Sequence, residues 1–396
     1  MVVCGWLAAA HAASAQIWTP TSAPITNWQS VASSADGTKL VAAAGGSVGS
    51  AGRAPIFLST NAGVSWTQSS APITNWLHVA SSADGSKLVA VGYQIYYSTD
   101  SGATWTPASG LPYPYEFWSS VASSADGTKS VVGQLGGTIS QPQAIYLSTD
   151  SGATWHPAGA NGSAVASSAD GSRLLALEYD KSPAFIGSST NAGGTWQSNN
   201  VAAAQYWWAV ASAADGVKLA AVAGLGELSI YSTGSVYTST DSGATWRSNN
   251  APVIKWSSIA SSADGTRLVA AAHGGGIYTS MDSGTTWVTN NAPVTNWISV
   301  ASSADGARLV ALVYGGGIYT ASVTPAPALN LARSGGNLAL SWIVPSTPFV
   351  VQENSDLSGP NWVALTNMPT LDLTNLQNQV MLSPSNGSGF YRLATP

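Results

Sequence analysis

The sequence predicts an all-β protein, a seven-bladed β-propeller followed by a small β-sandwich-like module. Two repeated motifs lead to this prediction. An octapeptide, STDSGATW, occurs three times without change, at residues 98–105, 148–155 and 239–246. The tripeptide Ala-Asp-Gly occurs at intervals of 48, 42, 44, 45, 49 and 41 residues, with its aspartates at Asp36, Asp84, Asp126, Asp170, Asp215, Asp264 and Asp305. Because repeats of ~40–50 residues rich in short strands are typical of propeller blades, seven tripeptides predict seven blades.

Each blade is predicted to contain four short strands, as the second repeat illustrates. Its strand-like runs are WLHVASS, LVAVG, IYYS and TWTPA, all within residues 76–108. They are rich in Val, Ile, Tyr and Trp and are bounded by turn residues, and no sustained helical period is present. The tripeptide forms the first turn, with glycine where the backbone needs a positive φ, and the octapeptide forms the last.

The two ends of the repeat region predict how the ring closes. The seventh repeat ends in GGGIYTASVTP and lacks both the octapeptide and a fourth strand. The segment WTPTSAPITNW at 18–28 differs at only two positions from WTQSSAPITNW at 66–76, which follows the first octapeptide-like turn. We therefore expect the N-terminal strand to complete the last blade, which removes sheet edges that would otherwise be open.

The propeller is predicted to span residues 16–323. Before it, residues 1–15 contain an apolar run and end in Ala-Ser-Ala, as is typical of a secretory signal peptide; the alternative is a buried first strand. A Pro/Ala linker at 324–329 leads to residues 330–396, whose strand-like runs resemble small β modules that end many secreted bacterial proteins. We expect a secreted or cell-surface protein, extracellular or periplasmic.

The composition limits the possible partners. Only 8% of the residues are charged and the net charge is −5, whereas a nucleic-acid-binding protein needs clustered Lys and Arg. No apolar run after residue 15 reaches the ~18 residues of a membrane span. The single cysteine, Cys4, lies in the predicted signal peptide, so we expect no disulfide in the mature chain. We expect a monomer without cofactor or metal.

The octapeptide is similar to the Asp-box, or BNR repeat, Ser-x-Asp-x-Gly-x-Thr-Trp. That motif occurs in propellers of sialidases, sortilin-type receptors, certain xyloglucan hydrolases and photosystem II assembly factors. Weaker copies at 59–66, 189–196 and 280–287 bring the number to six. The resemblance implies a structural turn between the third and fourth strands, away from the ligand face. Asn61 and Asn191 replace the aspartate in two copies, which a turn tolerates but a general acid or metal ligand does not.

Few residues remain for catalysis once these motifs are set aside. The propeller keeps four spare carboxylates, at Glu116, Glu178, Asp180 and Glu227. A sialidase holds its substrate carboxylate with three arginines, but Arg53 is the one propeller arginine that lies outside the repeated turn and outer-strand positions. The histidines have no metal-ligand spacing, and no serine-centred elbow is present.

Aromatic residues are the predicted ligand-binding surface. A tryptophan starts the first strand of six blades, at Trp28, Trp76, Trp118, Trp207, Trp256 and Trp297. One interpretation is packing between blades, and the other is an aromatic rim for sugars or peptide side chains.

The sevenfold pattern breaks at blades 3 and 4, where we predict a notch. The loop into blade 3 is lengthened by LPYPYEFW, which brings Tyr113, Tyr115 and Trp118. The connection into blade 4 is shortened, and Gly162 replaces its tryptophan. The second loop of blade 4 carries Glu178, Tyr179 and Asp180 toward the same side. Length drift in an unselected loop is the alternative explanation.

The predicted function is non-catalytic binding of a protein or glycan on the loop face of the propeller. The alternative is a glycoside hydrolase, sialidase-like or polysaccharide-active, using Glu116, Glu178 or Asp180; it needs two carboxylates within about 10 Å. A third class, an assembly factor similar to the photosystem II propellers, uses a basic patch that this acidic chain lacks.

Overall fold

The computed structural model describes residues 16–46, 52–111, 117–134, 144–178, 185–200, 206–224, 233–322, 329–334, 337–344, 349–355, 361–382 and 390–394. Every regular element within these ranges is a β-strand, and all pairings between named strands are antiparallel. The predicted all-β class is therefore confirmed. The predicted signal peptide lies outside the described residues.

Each tripeptide repeat contributes a set of four strands that lie side by side, called a sheet below. Pairings of β2 with β27 and of β23 with β26 also join the sets of the first, sixth and seventh repeats into one twelve-stranded sheet. The first sheet contains β2 (Thr26–Ser33), β3 (Leu40–Ala44), β4 (Ile56–Ser59) and β5 (Thr67–Gln68); the second contains β6 (Trp76–Ser81), β7 (Leu88–Gly92), β8 (Ile95–Ser98) and β9 (Thr106–Pro107); and the third contains β10 (Trp118–Ser123), β11 (Ser130–Gln134), β12 (Ala144–Ser148) and β13 (His156–Asn161). The fourth sheet contains β14 (Ala164–Ser167), β15 (Leu174–Leu177), β16 (Phe185–Ser189) and β17 (Gln197–Asn200), and the fifth contains β18 (Tyr206–Ser212), β19 (Leu219–Gly224), β20 (Gly234–Ser239) and β21 (Arg247–Ser248). The sixth sheet contains β22 (Trp256–Ser261), β23 (Leu268–Gly275), β24 (Ile277–Ser280) and β25 (Val288–Thr289), and the seventh contains β26 (Thr295–Ser302), β27 (Arg308–Gly316), β28 (Ile318–Ser322) and β1 (Thr19–Pro20).

The seventh sheet takes its fourth strand from the other end of the repeat region. β1 pairs antiparallel with β28, with Thr19 opposite Thr320 and Pro20 opposite Tyr319. Trp18, which precedes β1, is buried in a cluster with Trp297 and Leu309 of the seventh sheet. Residues more than 290 positions apart in the chain thus form one sheet, as the sequence match between 18–28 and 66–76 predicts.

The hydrophobic core lies between neighbouring sheets. The second strand of the first sheet, LVAAA, is buried at every position, because a sheet covers each of its faces. One cluster joins Trp28, Val31 and Leu40 of the first sheet to Val310 and Leu312 of the seventh.

Turns and loops separate to opposite edges of the sheets, because successive antiparallel strands reverse direction. The tripeptide and octapeptide turns, which join strands one to two and three to four, lie at one edge, called the turn face below. The turns from strand two to three, and the connections to the next sheet, lie at the other edge, called the loop face.

Backbone hydrogen bonds join the tripeptide turns around the turn face. The amide of Ala35 donates to the carbonyl of Ala83 at 2.7 Å, and each tripeptide alanine repeats this contact with the alanine of the next turn. The last bond, from Ala304 back to Ala35 at 2.7 Å, closes the circle. The donors of this alanine ring are Ala35, Ala83, Ala125, Ala169, Ala214, Ala263 and Ala304.

Basic side chains reinforce the same face. Nζ of Lys39 donates to the carbonyl of Asp84 in the next turn at 2.8 Å, and a Cβ on Gly85 would lie 2.7 Å from Cδ of Lys39. The Lys side chain therefore crosses the seam and packs against the glycine of the neighbouring turn. Gly85 is needed both for its positive φ of 68° and for this close approach.

The C-terminal residues form two further sheets. One has the order β29 (Asn330–Ser334), β30 (Asn337–Ile343), β34 (Gln377–Leu382) and β33 (Thr370–Asp372). The other has the order β32 (Val363–Ala364), β31 (Val350–Asn354) and β35 (Phe390–Ala394). Leu340, Trp342, Val351, Val380 and Leu382 form a buried cluster shared by both sheets.

Candidate ligand site on the loop face

The octapeptide turns use their carboxylates for local hydrogen bonds. Asp100 accepts from the Ser98 hydroxyl at 2.8 Å and from the backbone N–H and hydroxyl of Thr104 at 2.9 and 2.6 Å. These hydrogen bonds, led by the one from the Thr104 hydroxyl, lower the pKa of Asp100 to about 2. Asn61 accepts the equivalent bonds from Ser59 and the Ser65 amide at 3.0 and 2.9 Å. Asp and Asn therefore serve the same turn.

The tripeptide aspartates are also turn residues. Asp36 accepts from the Ser34 hydroxyl at 2.6 Å and from the backbone amide and hydroxyl of Thr38 at 3.0 and 2.8 Å. Partial burial would raise the pKa of Asp36, but hydrogen bonds from Ser34 and Thr38 outweigh it and lower the pKa. Such a carboxylate is an ionised acceptor rather than a proton donor.

The predicted notch at the third and fourth sheets falls largely on residues that the structure does not describe. Tyr113, Tyr115, Glu116, Tyr179 and Asp180 lie outside the described residues. Glu178 follows β15, is buried and has an interaction partner within the protein. A Cβ on Gly162 would lie 2.8 Å from Cβ of Ala176, so the chain itself closes in where the other sheets place a tryptophan. The notch remains a prediction.

The six first-strand tryptophans are packed inside the protein. Their exposed fractions are at most 2%, for Trp28, Trp76, Trp118, Trp207, Trp256 and Trp297. Each contacts an aromatic ring of the third strand of its own sheet edge-on; for Trp118 the partner is Tyr146, with ring centroids 5.3 Å apart. Buried indoles offer no face to a ligand, so the packing interpretation describes them and the rim interpretation does not. Arg53, by contrast, is exposed.

Four exposed aliphatic side chains mark a loop-face surface that the sequence analysis missed. Each follows Ala-Pro in the connection to a new sheet, and the exposed fractions are 80% for Ile25, 56% for Ile73, 57% for Val253 and 78% for Val294. These connections enter the first, second, sixth and seventh sheets, which are consecutive around the alanine ring. We call the four residues the aliphatic arc. The repeated Ala-Pro-Ile/Val is the signal that could have revealed it.

Two contacts hold the aliphatic arc in place. First, in three of the four connections the indole N–H of the buried tryptophan donates to the loop proline carbonyl, from Trp76 to Pro72 and from Trp256 to Pro252 at 3.2 Å and from Trp297 to Pro293 at 3.0 Å. The indole N–H of Trp28, in the connection that carries Ile25, makes no hydrogen bond within the described residues. Second, each loop pairs with the preceding sheet through a residue next to the exposed side chain. These pairs are Thr26 with Gly316, Thr74 with Ala54, Ile254 with Gly234 and Thr295 with Gly275.

An aromatic pair lies beside the arc. Tyr93, in the turn between β7 and β8, and Phe117, before β10, have ring centroids 4.7 Å apart at an interplanar angle of 50°. Both are half-buried. They join the second sheet to the third on the side where the notch is predicted, and neither is among the predicted site residues.

Metal and membrane features can be stated only for the described part of the chain. There, no three His, Cys, Asp or Glu side chains come together in a group that could hold a metal ion. No helix in the described ranges could cross a membrane.

The chain is similar to several solved structures. No protein-family model matches it, and no curated protein does. YCF48 bound to a D1 peptide is 15% identical with a TM-score of 0.56, over 79% of this chain and 96% of that chain. YCF48 from Cyanidioschyzon merolae is 14% identical with a TM-score of 0.56, over 78% and 99%. Kuenenia stuttgartiensis hydrazine synthase is 14% identical with a TM-score of 0.60, over 81% and 99%. The similarity shows a β-propeller fold.

Proposed function

We propose that this chain is a seven-bladed β-propeller that binds a protein partner on its loop face and catalyses no reaction. The closed ring of alanine hydrogen bonds and the pairing of β1 with β28 support seven blades within residues 16–323. A linker at 324–329 then joins them to a C-terminal β module at 330–396. With residues 1–15 as a signal peptide, the protein works outside the cell or at its surface.

The aliphatic arc is the observation on which the protein partner rests. Four Ile and Val side chains, each more than half exposed, lie on consecutive connections of one face. Apolar surface of this kind marks an interaction site, and burying one such side chain stabilises a complex by up to about 1.5–3 kcal/mol. Because the loops are already held by indole and backbone contacts, binding costs little further ordering.

The side-chain type favours a protein over a glycan. Sugars stack on exposed aromatic faces, but the six first-strand indoles are buried. Ile and Val instead fit the aliphatic side chains of a polypeptide. A protein of the same fold, YCF48, holds a D1 peptide, which supports peptide recognition by this architecture.

The described carboxylates favour binding over catalysis. The turn aspartates Asp36 and Asp100 are occupied by Ser and Thr donors, and hydrogen bonds from these donors lower their pKa values. Of the three carboxylates that a glycoside hydrolase would use, Glu178 is described and is buried with a partner. Glu116 and Asp180 remain candidates for that alternative.

A display experiment tests the proposal. A phage-displayed library of random peptides is selected on the purified full chain, and the same protein is applied to a glycan array and assayed with chromogenic glycosides. We expect enrichment of peptides rich in aliphatic residues. We expect the quadruple variant Ile25→Ser, Ile73→Ser, Val253→Ser, Val294→Ser to lose about tenfold or more in affinity for an enriched peptide.

Val64→Ser is the matched control, because Val64 is 74% exposed but lies in an octapeptide-type turn on the turn face. This variant should bind like the unsubstituted chain. Equal loss in the control, or glycan binding and hydrolysis without peptide enrichment, would contradict the proposal. Glu116→Gln and Asp180→Asn then report whether any hydrolysis comes from the predicted notch.

A further inference from the structure

The C-terminal module contacts the centre of the turn face. Ile343, Val344 and Leu376 pack against the buried alanines of the tripeptide turns. Leu376 also lines a cavity of about 160 Å³ whose other walls are serines and alanines from all the tripeptide turns. A residue that borders turns from every sheet lies near the axis of the alanine ring.

The backbone at Leu376 is held in an unusual conformation. Its φ is +54°, in the left-handed region that a leucine rarely adopts. The Leu376 carbonyl accepts from the Val344 amide at 3.0 Å, and the Asn375 side chain accepts from the Gln377 amide at 3.1 Å. Such a conformation persists where surrounding contacts hold it, and here it directs a large apolar side chain toward the ring.

Apolar side chains packed over the alanine ring would stabilise its hydrogen bonds. Its seven backbone hydrogen bonds join the turns sheet to sheet, and they surround a central cavity that water could enter. Apolar side chains over the ring exclude water, which strengthens the hydrogen bonds because a low local dielectric favours them. Leu376 is placed to do this for several turns at once, because it borders the cavity that all the turns surround, and Ile343 and Val344 pack against the same group of alanines.

We propose that the C-terminal module is an axial plug, docked on the alanine ring through Leu376, Ile343 and Val344, that seals the turn-face end of the central cavity and stabilises the ring. The occupant of the turn-face centre is therefore this chain's own module, and a partner does not bind there while the module is docked.

Hydrogen exchange on the full chain tests the plug. Leu376→Asp places a charge against the alanines, and Leu376→Asn removes the apolar contact while keeping a residue that tolerates the left-handed conformation. Met368→Asp is the control, since Met368 is an exposed residue elsewhere in the module. The measurements are exchange at the seven ring amides and the radius of gyration from small-angle scattering.

We expect exchange at the ring amides to rise about tenfold or more in both Leu376 variants, with a larger radius of gyration, and neither to change in Met368→Asp. If Leu376→Asp unfolds the module, as lost protection of β30 and β34 would reveal, Leu376→Asn decides. Unchanged exchange and radius in Leu376→Asn would overturn the proposal. A larger radius without faster ring exchange, or equally fast ring exchange in the control, would overturn it too.

Discussion

The turn face and the loop face of this propeller differ in how far the repeats agree. On the turn face every tripeptide turn joins the alanine ring, and every octapeptide-type turn has the same Ser-Asp or Ser-Asn hydrogen bond. On the loop face the connections differ in length and in exposed residues. Closing a ring imposes one geometry on every repeat, whereas a ligand site needs only some of them. Agreement between repeats therefore marks the scaffold, and disagreement marks where function can lie.

Between the two faces, one hydrogen bond that joins neighbouring sheets recurs in most sheets but not in all of them. At one position of the first strand, a side chain accepts a hydrogen bond from a backbone amide of the next sheet. In the first sheet, Oγ of Ser30 accepts from the Val79 amide at 3.2 Å. Ser120, Ser258 and Ser299 repeat this contact. The second sheet has His78 there instead, accepting from the Val121 amide through Nδ1 at 3.4 Å. Ala164 and Ala209 replace the acceptor in the fourth and fifth sheets.

The largest expected effect follows from placing the same substitution on both faces. Gly127 on the turn face has a φ of +65°, and a Cβ there would lie 2.7 Å from Cβ of Lys87 and 2.9 Å from Cβ of Ser82. Gly127→Ala should lower the free energy of unfolding by about 3 kcal/mol, because backbone strain and overpacking add. Chemical denaturation measures the loss.

Gly317 on the loop face is the matched position, because a Cβ there would meet nothing within 4 Å. Gly317→Ala should change the free energy of unfolding by less than about 0.5 kcal/mol. Equal losses for the two variants would show that the two faces do not differ in how tightly they are built.

The strands and turns of the scaffold could be predicted from the sequence, because the same motifs recur from repeat to repeat. The tripeptide spacing, the octapeptide turns and the match between 18–28 and 66–76 predict the four-stranded units and the pairing of β1 with β28. A Lys or Arg stands two residues after every tripeptide glycine, but this spacing does not identify its partner. The structure shows that Lys39 reaches the carbonyl of Asp84 in the next turn.

The ligand surface was harder to predict from the sequence. Trp76 and Ile73 are both apolar residues beside a loop, and which of them is buried depends on the sheet that packs over the loop. The same limit applies to Leu376, whose contact with the ring joins residues far apart in sequence. Apolar character predicts burial in general but not the exposed aliphatic arc.

His78 is expected to make the free energy of unfolding depend on pH, and this effect is intermediate in size among the predictions. Burial lowers its pKa from 6.5 to about 4, so the unfolded chain binds the proton more readily than the folded one. Stability is therefore complete above pH 6.5 and falls as the pH drops toward 4, by up to about 2–3 kcal/mol. Denaturation curves between pH 7 and 4 measure this slope.

His78→Ser installs the acceptor that Ser30 and Ser120 provide in other sheets. This variant should lose the added slope between pH 6.5 and 4, whatever its stability at pH 7. The same slope in both proteins would show that His78 is not the group responsible.

The smallest effect is expected for Asp150→Asn, which tests whether the octapeptide turns are scaffold alone. Asp150 accepts from the Thr154 amide and hydroxyl at 2.9 and 2.6 Å. In the natural Asn191 turn the Thr195 amide bond is kept at 2.9 Å, and the side-chain amide donates to the Thr195 hydroxyl at 3.0 Å, so the second bond reverses direction without being lost. The free energy of unfolding at pH 7 should therefore change by less than about 0.5 kcal/mol, with ligand binding unchanged, whereas Asp150→Ala should cost about 1 kcal/mol or more.

Hydrogen bonds from Thr154 and Ser148 outweigh partial burial and lower the pKa of Asp150, so its contribution is present at neutral pH and falls as acid protonates it. Asp150→Asn should thus lose less stability in acid than the unsubstituted chain. A loss as large as that of Asp150→Ala at pH 7, or reduced peptide binding with unchanged stability, would give these turns a role beyond holding the strands.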